Sequence, residues 1–272
     1  MNNARELLQD AKLAAAIDSV TQEVKARPSD VGARIFLFEL LCFTGDLDRA
    51  EKQLDVVGHQ SDQMKVGAVV YREVLEAERA RRAVFASGTT PSFLTTPPEY
   101  AAFHLEALRL QRCGESEKAR VLLEKAVGAA PVLTGQMDGR SFEEFGDSDV
   151  FLGPFLELLV NEKYAWLPFE EISRIELAKP KQLRDLVWAR AKVEARGGNL
   201  GEVFLPVLYP GTAECRDESV KLGRATEWID AGAGLARGIG QRLFLVDGQE
   251  RGMLEVAEIS FTHAAEAAAP QA

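Results

Sequence analysis

The chain has 272 residues, 46% of them hydrophobic and 27% charged, a globular balance that excludes both an intrinsically disordered chain and a membrane-embedded one. Its formal net charge of -10 argues against a nucleic-acid partner, because phosphate neutralisation needs a basic face, and favours protein partners instead. Cys42, Cys113 and Cys215 are odd in number and share no CxxC spacing, no window holds about 18 consecutive apolar residues, and Glu6 and Asp10 interrupt any leader-like start, so the expected location is the cytoplasm, with no membrane contact.

In chain order, residues 4–26 read as two helices broken near Asp10, the second with Leu13, Ile17, Val20 and Val24 on one face and ending before Pro28. Residues 31–43 are apolar on nearly all sides, which predicts a helix buried between neighbours and closed by Gly45. The run Gly45-Asp46-Leu47-Asp48-Arg49-Ala50 recurs as Gly114-Glu115-Ser116-Glu117-Lys118-Ala119, each with aliphatic residues behind it. Ala16 and Ala50 lie one 34-residue period apart and Ala119 about two periods further on, the spacing of the tetratricopeptide (TPR) helix-turn-helix repeat. The usual Trp, Gly and Tyr of the first repeat helix are missing from all three copies.

Residues 63–88 predict one long amphipathic helix with Val66, Val69, Val70, Val74, Leu75, Ala77 and Phe85 inward. Arg72, Glu73, Glu76, Glu78, Arg79, Arg81 and Arg82 would form its solvated face. Thr95, Thr96, Pro97 and Pro98 cap and start the next helix, 99–112. Stacked helical pairs leave a groove suited to extended or helical peptides. The repeat frame places Ile35, Glu39, Cys42, Phe43, His104, Leu108 and Arg112 along it as candidate partner-binding residues, with core packing as the competing reading for Phe43 and Leu108.

Residues 135–166 are the joint between two kinds of patterning. They hold an Asp138-Gly139 turn signal, five acidic residues (Asp138, Glu143, Glu144, Asp147, Asp149), a Leu152-Gly153-Pro154 step and an apolar run at 155–160 read as a short helix. Beyond them, residues 164–169, 172–178, 186–195, 202–209, 241–246 and 253–259 read as strands separated by Lys179-Pro180, Gly197-Gly198-Asn199, Pro210-Gly211 and Asp247-Gly248. With no long helices between them the strands should be antiparallel, forming a small twisted sheet or open barrel. The expected class is α+β: an N-terminal α-helical TPR-like domain (1–131), an acidic joint with a short helix (132–166), a smaller, mainly antiparallel β domain (167–263) and a fraying tail (264–272).

No catalytic constellation stands out. His59, His104 and His263 lack metal-ligand spacing, no GxSxG occurs, and Gly232, Gly234, Gly238 and Gly240 suit hairpins better than a phosphate loop. The acids at 138–149 lack the spacing of a calcium loop, so caps and ion pairs account for them better than a metal. Arg224 and Arg242 are the candidates to pair with Asp147, Asp149 or Asp185 across the joint, and Trp166, Trp188 and Trp228 read as core aromatics with ring N–H groups bonded to backbone. No cofactor is expected.

Several motifs resemble the ImpE family, also called TagJ or SciE, accessory proteins of the bacterial type VI secretion system. They are Asp138-Gly139, Phe142-Glu143, Asp147 with Asp149, Leu152-Gly153-Pro154, Tyr164-x-Trp166-x-Pro168, Asp185-Leu186-x-Trp188, Pro206-x-x-Tyr209-Pro210, Leu222-Gly223-Arg224-x-Thr226-x-Trp228 and Gly240-Gln241-Arg242. The resemblance implies a non-enzymatic adaptor that binds the N-terminal helix of the small sheath subunit and is linked to the AAA+ ATPase that recycles the sheath. The alternatives are a metal-dependent hydrolase using the acidic cluster 138–149, and a purely structural scaffold.

Overall fold

The computed structural model describes residues 2–262, so the expected tail at 264–272 and His263 lie outside the described residues. The helical part runs α1 (Asn2–Gln9), α2 (Leu13–Ala26), α3 (Val31–Thr44), α4 (Leu47–Gly58), α5 (Asp62–Ser87), then, after a two-residue strand β1 (Ser92–Phe93), α6 (Glu99–Arg112) and α7 (Ser116–Ala129). Local chemistry sets these ends. Asp30, Asp46 and Ser61 accept from the backbone N–H groups of Ala33, Arg49 and Met64 at the starts of α3, α4 and α5, and Gly45 closes α3 in the left-handed region at φ 69°. Helix α6 starts after Pro98 without a side-chain cap, so the threonines before it do not serve as one. Ala16, Ala50 and Ala119, the small residues of the repeat frame, are all fully buried in the helix-pair contacts.

The strands follow as β2 (Thr134–Met137), β3 (Arg140–Phe142), β4 (Phe145–Asp147), β5 (Phe155–Val160), β6 (Lys163–Pro168), β7 (Ile172–Leu177), β8 (Trp188–Ala195), β9 (Gly198–Pro206), β10 (Thr226–Gly232), β11 (Leu235–Gly240), β12 (Leu243–Val246), β13 (Gln249–Gly252) and β14 (Glu258–Thr262), with a short helix α8 (Glu218–Lys221) before β10. Nine of the strands form one sheet in the order β1-β6-β5-β9-β8-β7-β14-β2-β3, antiparallel except for β1 beside β6. Strands β13-β12-β4 make a second sheet and β10-β11 a lone hairpin. The chain is therefore α+β, helices first and strands after. Its sheet is larger than expected, because the segments around the joint join it.

Three expectations are corrected. Residues 155–160 are strand, not helix: six apolar residues cannot show a helical period, and the Asn161-Glu162 turn, with φ of 48° and 60°, closes a tight hairpin onto β6. Residues 253–255 form a 3-10 turn, and the strand starts only at Glu258. On α5, Val66 and Val69 are exposed while Glu78 and Arg81 are buried, the reverse of the amphipathic reading. The helix packs on α4 and also on β5 and β6, and the second contact covers a charged stripe that helical periodicity assigns to solvent.

One apolar core runs from the helices into the sheets. Phe155 stacks on Trp166 with ring centroids 4.8 Å apart, and Phe145 of β4 meets Phe169, Phe244 and Phe261 at 4.9, 5.2 and 5.1 Å, fastening the three-stranded sheet against the large one.

Candidate functional site

The site begins with two aspartates two residues apart. Where β4 ends, Asp147 Oδ1 accepts from the Asp149 N–H at 2.8 Å and Asp149 Oδ1 from the Phe151 N–H at 3.0 Å, side-chain turns that reverse the chain. Leu152 and Gly153 donate to the Asp149 carbonyl, which completes the bend into β5. The remaining oxygens face inward. Arg242 Nη1 donates to Asp147 Oδ2 at 2.8 Å and the Tyr209 hydroxyl to Asp147 Oδ1 at 2.8 Å. Asp149 Oδ2 accepts from Arg237 Nε at 3.1 Å and from the Gly238 N–H at 3.2 Å.

A second pair of charges ties this loop to the helices. Glu157, at the middle of β5, receives Arg81 of α5 through Nε at 2.8 Å and Nη2 at 3.1 Å, and Arg242 and the Tyr164 hydroxyl also reach it. Arg81 Nη2 donates besides to the Leu208 carbonyl at 2.8 Å. One turn back on α5, Glu78 accepts from Arg82 Nε at 3.1 Å and Trp188 Nε1 at 3.3 Å. Four guanidiniums (Arg81, Arg82, Arg237, Arg242) thus face four carboxylates (Glu78, Asp147, Asp149, Glu157), and all but Arg82 and Arg237 are buried.

Burial pushes the Asp147 carboxyl up to about 6, against the pull of Arg242 beside it. It also pushes the Arg242 guanidinium down to about 10, against the attraction of Asp147. Desolvation outweighs attraction on both sides of the pair. Because a guanidinium keeps its proton at any ordinary pH, the carboxyl is the member that titrates. Burial likewise raises the Tyr209 and Tyr164 phenols, which stay protonated and able to donate. Every carboxylate oxygen of Asp147, Asp149 and Glu157 is engaged by a donor from the protein itself. What this arrangement does is hold α5, the loop after β4 and β11 together. Beside it, a cavity of about 470 Å³ opens between α5 and residues 210–214.

Residues 139–260 match the family model described as ImpE protein. A curated relative, the type VI secretion system accessory component TagJ of Pseudomonas aeruginosa, is 38% identical over 258 residues, covering 95% of this chain and 90% of its own. The chain belongs to the ImpE family. A crystal structure of protein VPA1032 from Vibrio parahaemolyticus shares the fold, with a TM-score of 0.89 over 97% of this chain and 99% of that one at 23% identity.

In this ImpE-family chain the acids of the joint do not converge. Asp138, Glu143 and Glu144 are exposed, while Asp147 and Asp149 are buried. Asp138 holds the Asp138-Gly139 turn and accepts from the Ala257 and Glu258 N–H groups at 3.0 and 2.9 Å. The Glu143 and Glu144 N–H groups are held by Asp247. Among the described residues no group of three or more His, Cys, Asp or Glu is arranged to hold a metal ion, and no helix is long and apolar enough to cross a membrane. Asp185 accepts from the Lys181 and Gln182 N–H groups within its own turn. Arg242 pairs with Asp147, but Arg224 joins none of these acids and donates instead to the Leu8 and Gln9 carbonyls at the end of α1. Gly153 and Pro154 form the bend itself, the Gly153 carbonyl accepting from the Asp147 N–H at 2.8 Å.

Trp166 and Trp188 are buried, with ring N–H groups donating to Tyr164 and Glu78 side chains rather than to backbone. Trp228 is 39% exposed on β10, beside the Tyr209 ring. Of the groove candidates, Glu39, Cys42, Phe43, His104 and Leu108 are buried, Ile35 is half-buried and Arg112 is exposed, so the seven do not share one open surface. Glu39 pairs with Arg184 at 2.6 Å, and His104 lies edge-on to Phe155 with Nδ1 3.3 Å from the Phe151 carbonyl. Sequence reasoning missed Glu78, Arg81, Glu157, Tyr209 and Arg237. A usable signal existed for one of them: a lone glutamate inside the apolar run 155–160 requires a buried cation.

Proposed function

We propose that this chain is a non-enzymatic, cytoplasmic adaptor of a bacterial type VI secretion system. The observation that carries the reading is the 38% identity, over 95% of the chain, to an accessory component of that system. The geometry agrees with it: the acids that a hydrolase would need are spent on the protein's own arginines, tyrosines and backbone amides, which is a structural use. At the finer level, the adaptor binds the N-terminal helix of the small sheath subunit and links it to the AAA+ ATPase that recycles the sheath. The helical half serves as a diverged TPR array, and Val66 and Val69, three residues apart and exposed on α5, give it an apolar surface of the kind an amphipathic helix covers.

The test is affinity capture with the full-length chain from cells that express the secretion cluster, with retained proteins identified by mass spectrometry. Retention of the small sheath subunit, lost on Val66→Asp with Val69→Asp, is the expected result. A sheath subunit absent from the eluate while the folded bait is recovered would overturn the adaptor reading.

A further inference from the structure

The hairpin β10-β11 belongs to neither of the two larger sheets. Its inner strand is β11, where Gly238, Ile239 and Gly240 are buried and a Cβ on Gly238 would stand 2.5 Å from the Tyr209 ring. Its outer strand is β10, where Glu227, Trp228, Ile229 and Asp230 are exposed in succession. A strand with one neighbour turns the N–H and C=O of every second residue away from it. Among the described residues, no backbone group from Glu227 to Asp230 bonds to anything but β11. Proteins commonly blunt such an edge with proline, lysine or shortness. This one has seven residues, TEWIDAG, with no proline or lysine.

The edge is also held in place at both ends. The Ala231 carbonyl accepts from Gln111 Nε2 of α6 and from the Ser116 hydroxyl of α7, both at 2.7 Å. At the other end the Thr226 hydroxyl donates to the Gln241 carbonyl at 2.7 Å, and the Trp228 ring lies 6.0 Å from that of Tyr209. A strand already fixed in extended form loses little further entropy when another is added beside it. Its charges select what is added. Among the described residues Glu227 has no ion pair, and Asp230 accepts only from the Gly232 N–H of its own turn at 2.8 Å. Side chains alternate along the strand, so Glu227 shares a face with Ile229, and Trp228 shares the other with Asp230. A neighbouring strand therefore meets acid, apolar, apolar, acid. A second copy of this chain, in the register that matches Trp228 with Ile229, would set Glu227 opposite Asp230, a like-charge pair that weakens the ladder.

We propose that β10 is a docking edge for an extended basic segment of a partner protein, patterned basic-apolar-apolar-basic and added as a further strand. It is separate from the Val66 and Val69 surface of α5. Trp228 is the exposed one of the chain's three tryptophans, so fluorescence reports its cover. The test is titration of the full-length chain with the end-blocked peptide Thr-Lys-Val-Val-Lys-Thr, read by tryptophan fluorescence and by amide exchange across residues 226–231. Saturable binding, a shift of emission to shorter wavelength and slowed exchange in β10 are expected. Replacing both peptide lysines by glutamate should weaken binding about fivefold or more, because opposite-charge cross-strand pairs become like-charge ones. Replacing both valines by proline should abolish it, because the ladder loses its N–H donors. Glu227→Lys should weaken the basic peptide about fivefold and strengthen the acidic one. No saturable change at millimolar peptide would overturn the proposal, as would equal binding of the acidic or the proline peptide. Protection of β10 in the free chain that grows with its concentration would also overturn it, by making a second copy the occupant.

Discussion

Replacing Arg242 by methionine removes the cation shared by Asp147 and Glu157 while keeping much of the side chain's volume. Arg242 is 1% exposed, bonds Asp147 at 2.8 Å and also pairs with Glu157, so the substitution leaves two buried carboxylates short of a partner. Breaking a buried pair from one side costs about 3–5 kcal/mol, whereas the solvent-screened pair of Arg120 with Glu117 should contribute little, so Arg120→Met serves as the control. The loss should also depend on pH. Asp147 has its carboxyl raised from the ordinary 3.8 to about 6, so the folded state takes up a proton more readily than the unfolded chain. Its stabilising protonation is complete below about 3.8 and disappears as pH rises through about 6. At pH near 5 the native Asp147 is already largely neutral, and the loss of its guanidinium should matter less than at pH near 7. Urea unfolding of both variants at those two pH values measures this directly. A loss of under about 1 kcal/mol at neutral pH would refute the claim that the network is a desolvated clamp, and an unchanged loss at the lower pH would refute the titration of Asp147.

Three further outcomes follow from other contacts. Burial lowers His104 from 6.5 to about 4, so it folds as neutral imidazole; its contribution is present above 6.5 and is lost as pH falls towards 4. The span corresponds to about 3 kcal/mol. Since Asp147 acts in the opposite sense over the same range, the difference in unfolding free energy between the native chain and His104→Leu isolates it: that difference should favour the native chain less as pH drops. Arg224→Ala removes two hydrogen bonds at the end of α1 and should cost about 1–2 kcal/mol, seen as faster amide exchange in α1 with β5 unaffected. Asp138→Ala loses the acceptor for two N–H groups and places alanine at φ 49°, so a loss of about 1–3 kcal/mol in a thermal or urea melt is expected.

What the sequence revealed and what it hid separate along one physical line. The helix end at Gly45 and the Asp138-Gly139 and Asp247-Gly248 turns depend on a few adjacent residues and could be read locally. The burial of Arg81 depends on Glu157, 76 residues away, and on the sheet that brings the two together. Periodicity therefore assigned Glu78 and Arg81 to solvent. The same limit explains β5: a strand buried on both faces has no alternation to display, and its single charge, Glu157, is intelligible only beside its partners. Trp228 errs in the other direction, because a large aromatic in a strand reads as core when nothing local marks its hairpin as standing outside the main sheet. The pairing of Arg242 with Asp147 followed from the need to neutralise buried acids; the same logic could not tell Arg242 from Arg224, which differ only in what the fold places beside them.

The adaptor account is tested most directly by titrating the full-length chain with a synthetic peptide of the small sheath subunit's N-terminal helix. The account predicts saturable binding with one peptide per chain, weakened by Val66→Asp with Val69→Asp. No binding at high micromolar peptide, with the chain verified as folded, would contradict it.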